Sequence, residues 1–302
     1  MCCCTFFLLF NICSIFRRVY MLANLKEILS ETRKNKYAVP AFDVNNLETF
    51  KAVVDIAEEE KSPVIAMVLD PDMKSCTLRY LVPMMKEVAA SSRIPVCIHL
   101  DHGADIQTVA RYISLGFNSV MLDASTLSLS ENIRVTSQVV EFAHAAGISV
   151  EAELGHVGVG LSDSAEDIKG FFTVPSEVEE FVEKTGVDAL AVAIGTAHGP
   201  YRGQPRLDID RLKDIVKITD TPLVLHGGSL TPDDQVKEAI AAGISKLNIA
   251  TELRMALFKG LKAAISELLE HASLHEIYEK PMEMMKQLVR EKIHLCGSHN
   301  RA

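Results

Sequence analysis

Three hundred and two residues, 48% of them hydrophobic and 24% charged, can bury a large core and suit either two average domains or one α/β barrel. A formal charge of −9 argues against nucleic acid or an anionic membrane surface as the main partner, and any anionic ligand then needs a local site. Of the seven cysteines, Cys2, Cys3, Cys4 and Cys13 lie in the first twenty residues, and none has Cys-x-x-Cys spacing. Neither a disulfide framework nor a thiolate zinc site is expected, and a reducing cytoplasm is the default compartment.

The chain opens on an apolar stretch, Met1 to Phe16, followed by Arg17 and Arg18. A secretory signal has its charge on the other side, and sixteen residues are short for a membrane span. Met21 begins a natural-looking start, so residues 1–20 are expected to be an extension without a folded role. The first β-rich run is Tyr37–Phe42, followed by a helical stretch over Asn46–Glu60. Strands are then predicted at Pro63–Leu69 and Ile94–Leu100, a helix at Asp105–Leu115 and a strand at Phe117–Leu122. The helix Glu131–Ala146 leads to strands at Ile148–Leu154, Val187–Ala193 and Pro222–His226. The helix Thr231–Ala242 and the strand Lys246–Ala250 complete the series.

Gly116, Gly147, Gly186 and Gly243 precede strands, as left-handed helix caps would. Thr231 reads as a helix cap with Pro232 in the first turn. Eight strand–helix units favour a closed (β/α)₈ TIM barrel over an open sheet. No linker divides residues 21–302, which read as one domain with an extra helix near Leu274–Arg290.

In such barrels chemistry belongs at the carboxyl ends of the strands. Strand three ends in His99-Leu100-Asp101-His102-Gly103, strand four in Met121-Leu122-Asp123, and strand five carries Glu151-Ala152-Glu153-Leu154-Gly155. Strand six ends in Gly195-Thr196-Ala197-His198-Gly199, strand seven in His226-Gly227-Gly228-Ser229, and strand eight in Asn248-Ile249-Ala250-Thr251. His102, His198 and His226 converge on one rim as a set of imidazoles suited to catalytic zinc with one open position. A glycine follows each, letting backbone and substrate approach the ion. Asp101 reads as a proton-transfer group, with orientation of an imidazole as the alternative. Glu151 and Glu153 share a strand face, and Glu153 is either a metal ligand or a hydrogen-bond acceptor behind one. Gly227-Gly228-Ser229 and Asn248–Thr251 form the expected anion site, since many barrels bind phosphate after strands seven and eight.

These segments, with Val39-Pro40-Ala41-Phe42-Asp43-Val44-Asn45-Asn46, resemble the class II, metal-dependent ketose-bisphosphate aldolases from about Ala23 to the carboxyl terminus. The resemblance implies zinc on His102, His198 and His226, and Asp101 as proton donor and acceptor. It implies dihydroxyacetone phosphate contacts from Gly199, from Gly227, Gly228 and Ser229, and from Asn248, Ile249, Ala250 and Thr251. Asp123 and Glu153 match a second or alternative metal location, and a monovalent cation, K⁺ or Na⁺, is expected near the phosphate. The implied reaction is reversible cleavage of a ketose 1,6-bisphosphate, fructose 1,6-bisphosphate first and tagatose 1,6-bisphosphate as the alternative. The implied partners are phosphorylated ketoses and triose phosphates, in a homodimer or homotetramer without nucleic acid or membrane. A non-catalytic partner role would predict loss of a zinc histidine or of Asp101, and none is lost.

Members take the acid that protonates C3 from a mobile loop after strand five. Here the loop Gly155–Asp167 has glycines suited to hinges, and Glu166 is the candidate acid, with Asp163 or Asp167 as alternatives. Leu230 stands where a small residue is usual, and Asp43 where asparagine is common. The carboxyl end, Cys296-Gly297-Ser298, leans toward the tagatose-type branch. Lys246 is the competing nucleophile for a Schiff-base aldolase. His99 and His144 read as structural, His156 as a contact to solvent or backbone, and His271 and His275 as a solvated helix face.

Overall fold

The computed structural model describes residues 22–70, 75–162, 165–201, 203–268 and 271–302, with the side chains of 75–76 and 165–167 left aside. The expected extension over residues 1–20 lies outside the described residues. Eight parallel strands close into a barrel in sequence order: β1 (Val39–Asp43), β2 (Val64–Leu69), β3 (Val96–Gly103), β4 (Ser119–Leu122), β5 (Ser149–Leu154), β6 (Ala189–Val192), β7 (Leu223–Leu225) and β8 (Ile244–Ile249). The ring is completed by β1 on β8, with Val39 beside Lys246 and Ala41 beside Asn248.

Two short helices, α1 (Leu25–Leu29) and α2 (Thr32–Asn35), precede β1. The Asn24 carboxamide caps α1, and Leu25 and Leu29 join Val39, Ile65, Cys97 and Val224 in the apolar layer of the lumen. Around the strands run α3 (Leu47–Glu59), α4 (Ser75–Ser91), α5 (Ile106–Leu115), α6 (Leu129–Ala145), α7 (Ala165–Gly170), α8 (Pro175–Thr185), α9 (Ile209–Ile218) and α10 (Asp233–Ala242). Their apolar faces and the outward residues of the strands make the larger core, from Phe50 and Ile56 to Phe181 and Leu212. Two long helices, α11 (Thr251–Glu267) and α12 (Leu274–Cys296), pack as a hairpin at the end of the chain. Among the described residues no helix is long and apolar enough to cross a membrane.

Several expected boundaries move for physical reasons. β3 continues past Leu100 to Gly103, so Asp101 and His102 still belong to the ladder. α12 runs on to Cys296, where Gly297 caps it in the left-handed conformation. Gly116, Gly147 and Gly186 take the left-handed conformation expected at helix ends, Gly147 one residue after the cap Ala146, whereas Gly243 has a φ of 134°, outside that basin. Thr231 does not cap α10: its hydroxyl bonds the Gly227 carbonyl instead, and Pro232 takes the cap position. His271 lies before α12, so it and His275 do not share one helix.

Candidate active site

Along each strand alternate side chains enter the lumen. The apolar layer at the floor gives way toward the mouth to His99, Asp101, Glu151, Glu153, Lys246 and Asn248, all buried. His102 follows a slip in the β3–β4 pairing between Leu100 and Gly103, and takes a left-handed φ of 49°. That backbone is costly for any residue with a Cβ, and such a bulge turns a side chain in a new direction. Its ring centroid lies 4.7 Å from those of both His198 and His226. One nitrogen of each imidazole lies within 4.8 Å of the others, so one ion can sit among them.

The hydrogen bonds decide which nitrogens are available. His102 Nδ1 is 2.7 Å from Asp123 Oδ2, and His226 Nε2 is 2.8 Å from Glu151 Oε1. An ionised carboxylate only accepts, so a neutral imidazole in either pair carries its proton on the bonded nitrogen. The opposite atoms, His102 Nε2 and His226 Nδ1, are buried without a hydrogen-bond partner among the described residues. The neutral rings thus keep two buried lone pairs beside a third imidazole, with Glu153 Oε2 3.3 Å from His226 Nδ1, and carboxylates orient metal-binding histidines in this way. Glu153 Oε1 accepts the Val157 N–H at 2.8 Å, and with His102 and Asp123 it forms a second group able to hold a cation.

The electrostatics match. Burial works against a cationic His226, yet the carboxylates of Glu151, bonded to Nε2, and of Glu153, 3.3 Å from Nδ1, push its pKa up to about 10. For His102 too, burial is outweighed by the Asp101 charge and the Asp123 bond. His198 is pushed down to about 4 by burial and by its two cationic neighbours. The surrounding carboxylates therefore favour positive charge at the triad, whether as protons or as a metal ion. Burial alone would raise the Asp101 pKa, but His102 and His226 hold it below the usual range, so it is ionised at neutral pH. Its Oδ1 accepts from Asn248 Nδ2 at 3.1 Å.

A cavity of about 300 Å³ opens over these residues. Asp101, His102, Asp123 and His198 line it, as do Gly199, Gly227, Ser229, Asn248, Ala250 and Thr251 from the expected anion site. Gly228 and Ile249 are not in the lining: the Gly228 N–H donates to the Asn248 carbonyl at 3.0 Å, and Ile249 packs into the core. Two of the glycines after histidine also have a packing role. A Cβ at Gly103 or Gly227 would lie 2.5 Å from the carbonyl oxygen of Met121 or Ala197, so these positions let strands and loops pack closely.

Lys246 is fully buried, 2.8 Å from Glu151 Oε2, and absent from the cavity wall, which removes it from reach of a substrate carbonyl. His99 is structural, as expected: Nδ1 meets Ser119 Oγ at 2.8 Å, and burial pushes its pKa down to about 3. His144 bonds Asp188 at 2.7 Å. The loop after β5 is less free than its glycines suggest. The Gly158 carbonyl accepts the His198 N–H and the Gly160 N–H donates to the His198 carbonyl, stitching this part to the third imidazole. Glu166 falls in α7, and its side chain lies outside the described residues, as do Asp163 and the side chain of Asp167.

Two residues were not singled out by sequence reasoning. Arg254 lines the cavity one turn into α11, and its spacing from Thr251 was the available signal, because helical side chains lean toward the amino terminus. Glu151 was read only as the neighbour of Glu153, yet it bonds His226 and Lys246 at once.

The family model for class II fructose-bisphosphate aldolase matches residues 23–301. The chain belongs to that family. The aldolase is 35% identical to the YdjI aldolase of Escherichia coli K12, with a TM-score of 0.82 over 93% of this chain and 99% of that one. The fructose-bisphosphate aldolase of Campylobacter jejuni shares the fold at 22% identity and a TM-score of 0.76, over 93% and 97% of the two chains. Class II aldolases use a divalent metal, and the orphaned nitrogens of His102 and His226 fit that requirement.

Proposed function

We propose that the aldolase cleaves a ketose 1,6-bisphosphate, fructose 1,6-bisphosphate foremost, to dihydroxyacetone phosphate and glyceraldehyde 3-phosphate, with zinc on His102, His198 and His226. The observation that carries this reading is the pair of buried, carboxylate-oriented imidazoles, each with a second nitrogen that lacks a hydrogen-bond partner among the described residues, grouped with His198 beside an ionised Asp101. When bound, zinc supplies Lewis acidity that draws electrons from the ketose carbonyl. Asp101 takes the C4 hydroxyl proton as the C3–C4 bond breaks, releasing the aldehyde and leaving an enediolate. Asn248, already tied to Asp101, donates a hydrogen bond to the developing charge. Glu166 is the proposed donor of the proton to C3.

Gly199, Gly227, Ser229 and Thr251 bind the phosphate near C1 in this reading, supported by their common place in the cavity wall. Gly228 and Ile249 then act by shaping that loop. Arg254 adds the local positive charge that a protein of net charge −9 requires. Asp123 and Glu153, with His102, are proposed as a second resting place for the metal, and K⁺ or Na⁺ beside the phosphate. The proposal takes residues 21–302 as one domain of a cytoplasmic homodimer or homotetramer.

A coupled cleavage assay with fructose and tagatose 1,6-bisphosphate, with chelator and with added zinc, tests the reading. Cleavage of the fructose ester that chelator abolishes and zinc restores is expected. Failure of the zinc-loaded protein to cleave either ester overturns it. Asp101→Ala is expected to lower kcat by about 10²–10⁴-fold with zinc content unchanged.

A further inference from the structure

One wall of the cavity carries a side chain with no part in the cleavage steps above. His156 follows β5 in the cavity wall. Its backbone N–H donates to the Phe171 carbonyl at 2.8 Å, and its ring packs edge-on to Phe171 at 5.3 Å. Its Nδ1 lies 2.9 Å from Ser125 Oγ. The Ser125 hydroxyl donates its single proton to Asp123 Oδ1 at 2.7 Å. Ser125 Oγ can therefore only accept from the ring, which puts the imidazole proton on Nδ1. In the neutral ring the lone pair is then on Nε2, which has no hydrogen-bond partner among the described residues. The neighbours of His156 in the wall, Val157 and Val159 from the same loop and Met67 and Leu69 from β2, are apolar.

We infer that His156 is a specificity-determining residue that accepts a hydrogen bond from a hydroxyl on the aldehyde-derived half of the substrate. This rests on the proposed aldol reaction. The phosphate-bearing half is assigned to the loops after β6, β7 and β8, whereas the His156 ring is tied to Ser125 after β4, on the other side of β5 from β6. A fixed lone pair repels a phosphate oxygen but suits an O–H, so the chemistry favoured there is a hydroxylated carbon next to the aldehyde.

The test runs in the condensation direction, with dihydroxyacetone phosphate and either glyceraldehyde or propionaldehyde. His156→Phe keeps the ring contact with Phe171 and removes the lone pair, whereas His156→Gln restores an acceptor. The ratio of kcat/KM for glyceraldehyde over propionaldehyde is expected to fall about tenfold in His156→Phe and to recover in part in His156→Gln. An unchanged ratio overturns the inference. So does an equal loss on both aldehydes with weaker zinc binding by chelator competition, which would mark His156 as a support for Asp123. If His156→Phe does not fold, Ser125→Ala, which releases the tautomer, must lower the same ratio. A wild-type protein that condenses neither aldehyde removes the aldol reading and this inference with it, whereas an active wild type with an unmoved ratio removes this inference alone.

Discussion

His102 holds the Asp123 carboxylate on Nδ1 and His226 holds the Glu151 carboxylate on Nε2, so each ring is oriented before any ion arrives. Asp123→Ala should weaken zinc binding by about 10–100-fold, read by competition with a chelator of known affinity; unchanged affinity would show that Asp123 does not orient His102. Leu230 has a left-handed φ of 61°, which explains why a small residue suits this place. Leu230→Gly should therefore raise stability by about 0.5–1 kcal/mol in urea unfolding, and a loss would refute the strain argument. His99 resists its proton in the fold, at about 3 against an ordinary value near 6.5. Its contribution is complete above the ordinary value and is lost as pH falls toward the folded one, because the unfolded chain binds the proton first. His99→Gln should lose less stability than wild type between about pH 7.5 and about pH 5, and parallel losses would contradict this. The rim histidines and Asp101 were legible because residue type and strand-end position agree. The grip of Glu151 on His226 and Lys246 was not, because it depends on how β5 faces β7 and β8 across the lumen.

At the level of elements, the hairpin of α11 and α12 reaches the site through one ion pair. Lys292 of α12 lies 2.8 Å from Glu252 in the first turn of α11, and the Glu252 N–H donates to Ser229 Oγ at 3.3 Å. Lys292→Ala should cost about 2 kcal/mol in thermal or urea unfolding and raise KM for the phosphorylated ketose, since Ser229 lines the cavity. A stability loss with KM unmoved would confine α12 to packing. The helix itself was visible in the sequence through its period, whereas its reach to Cys296 and its tie to Glu252 depend on tertiary contact. The loop after β5 shows the opposite failure. Its glycines suggested hinges, but Gly158 and Gly160 spend their backbone groups on His198.

For the molecule as a whole, the eightfold alternation was readable because each strand is a short apolar run before a helical period, and the closed ring follows from β1 pairing with β8. Asp101, Asp123, Glu151 and Glu153 gather under one mouth, so a bound cation should stabilise the entire fold. Chelator treatment should lower Tm and excess zinc should restore it, whereas a melt indifferent to both would speak against a metal centre. The Lys246–Glu151 pair sits fully buried in the same lumen. Exchanging such a pair for apolar side chains of similar volume is often neutral or stabilising, while removing one member alone is not. A laboratory selection for heat resistance alone would thus be free to discard both residues together. The catalytic cost would surface in His226, which would lose the oxygen that keeps its Nδ1 lone pair free for an ion. Thermal hardiness and turnover are therefore set against each other at a place that touches no substrate.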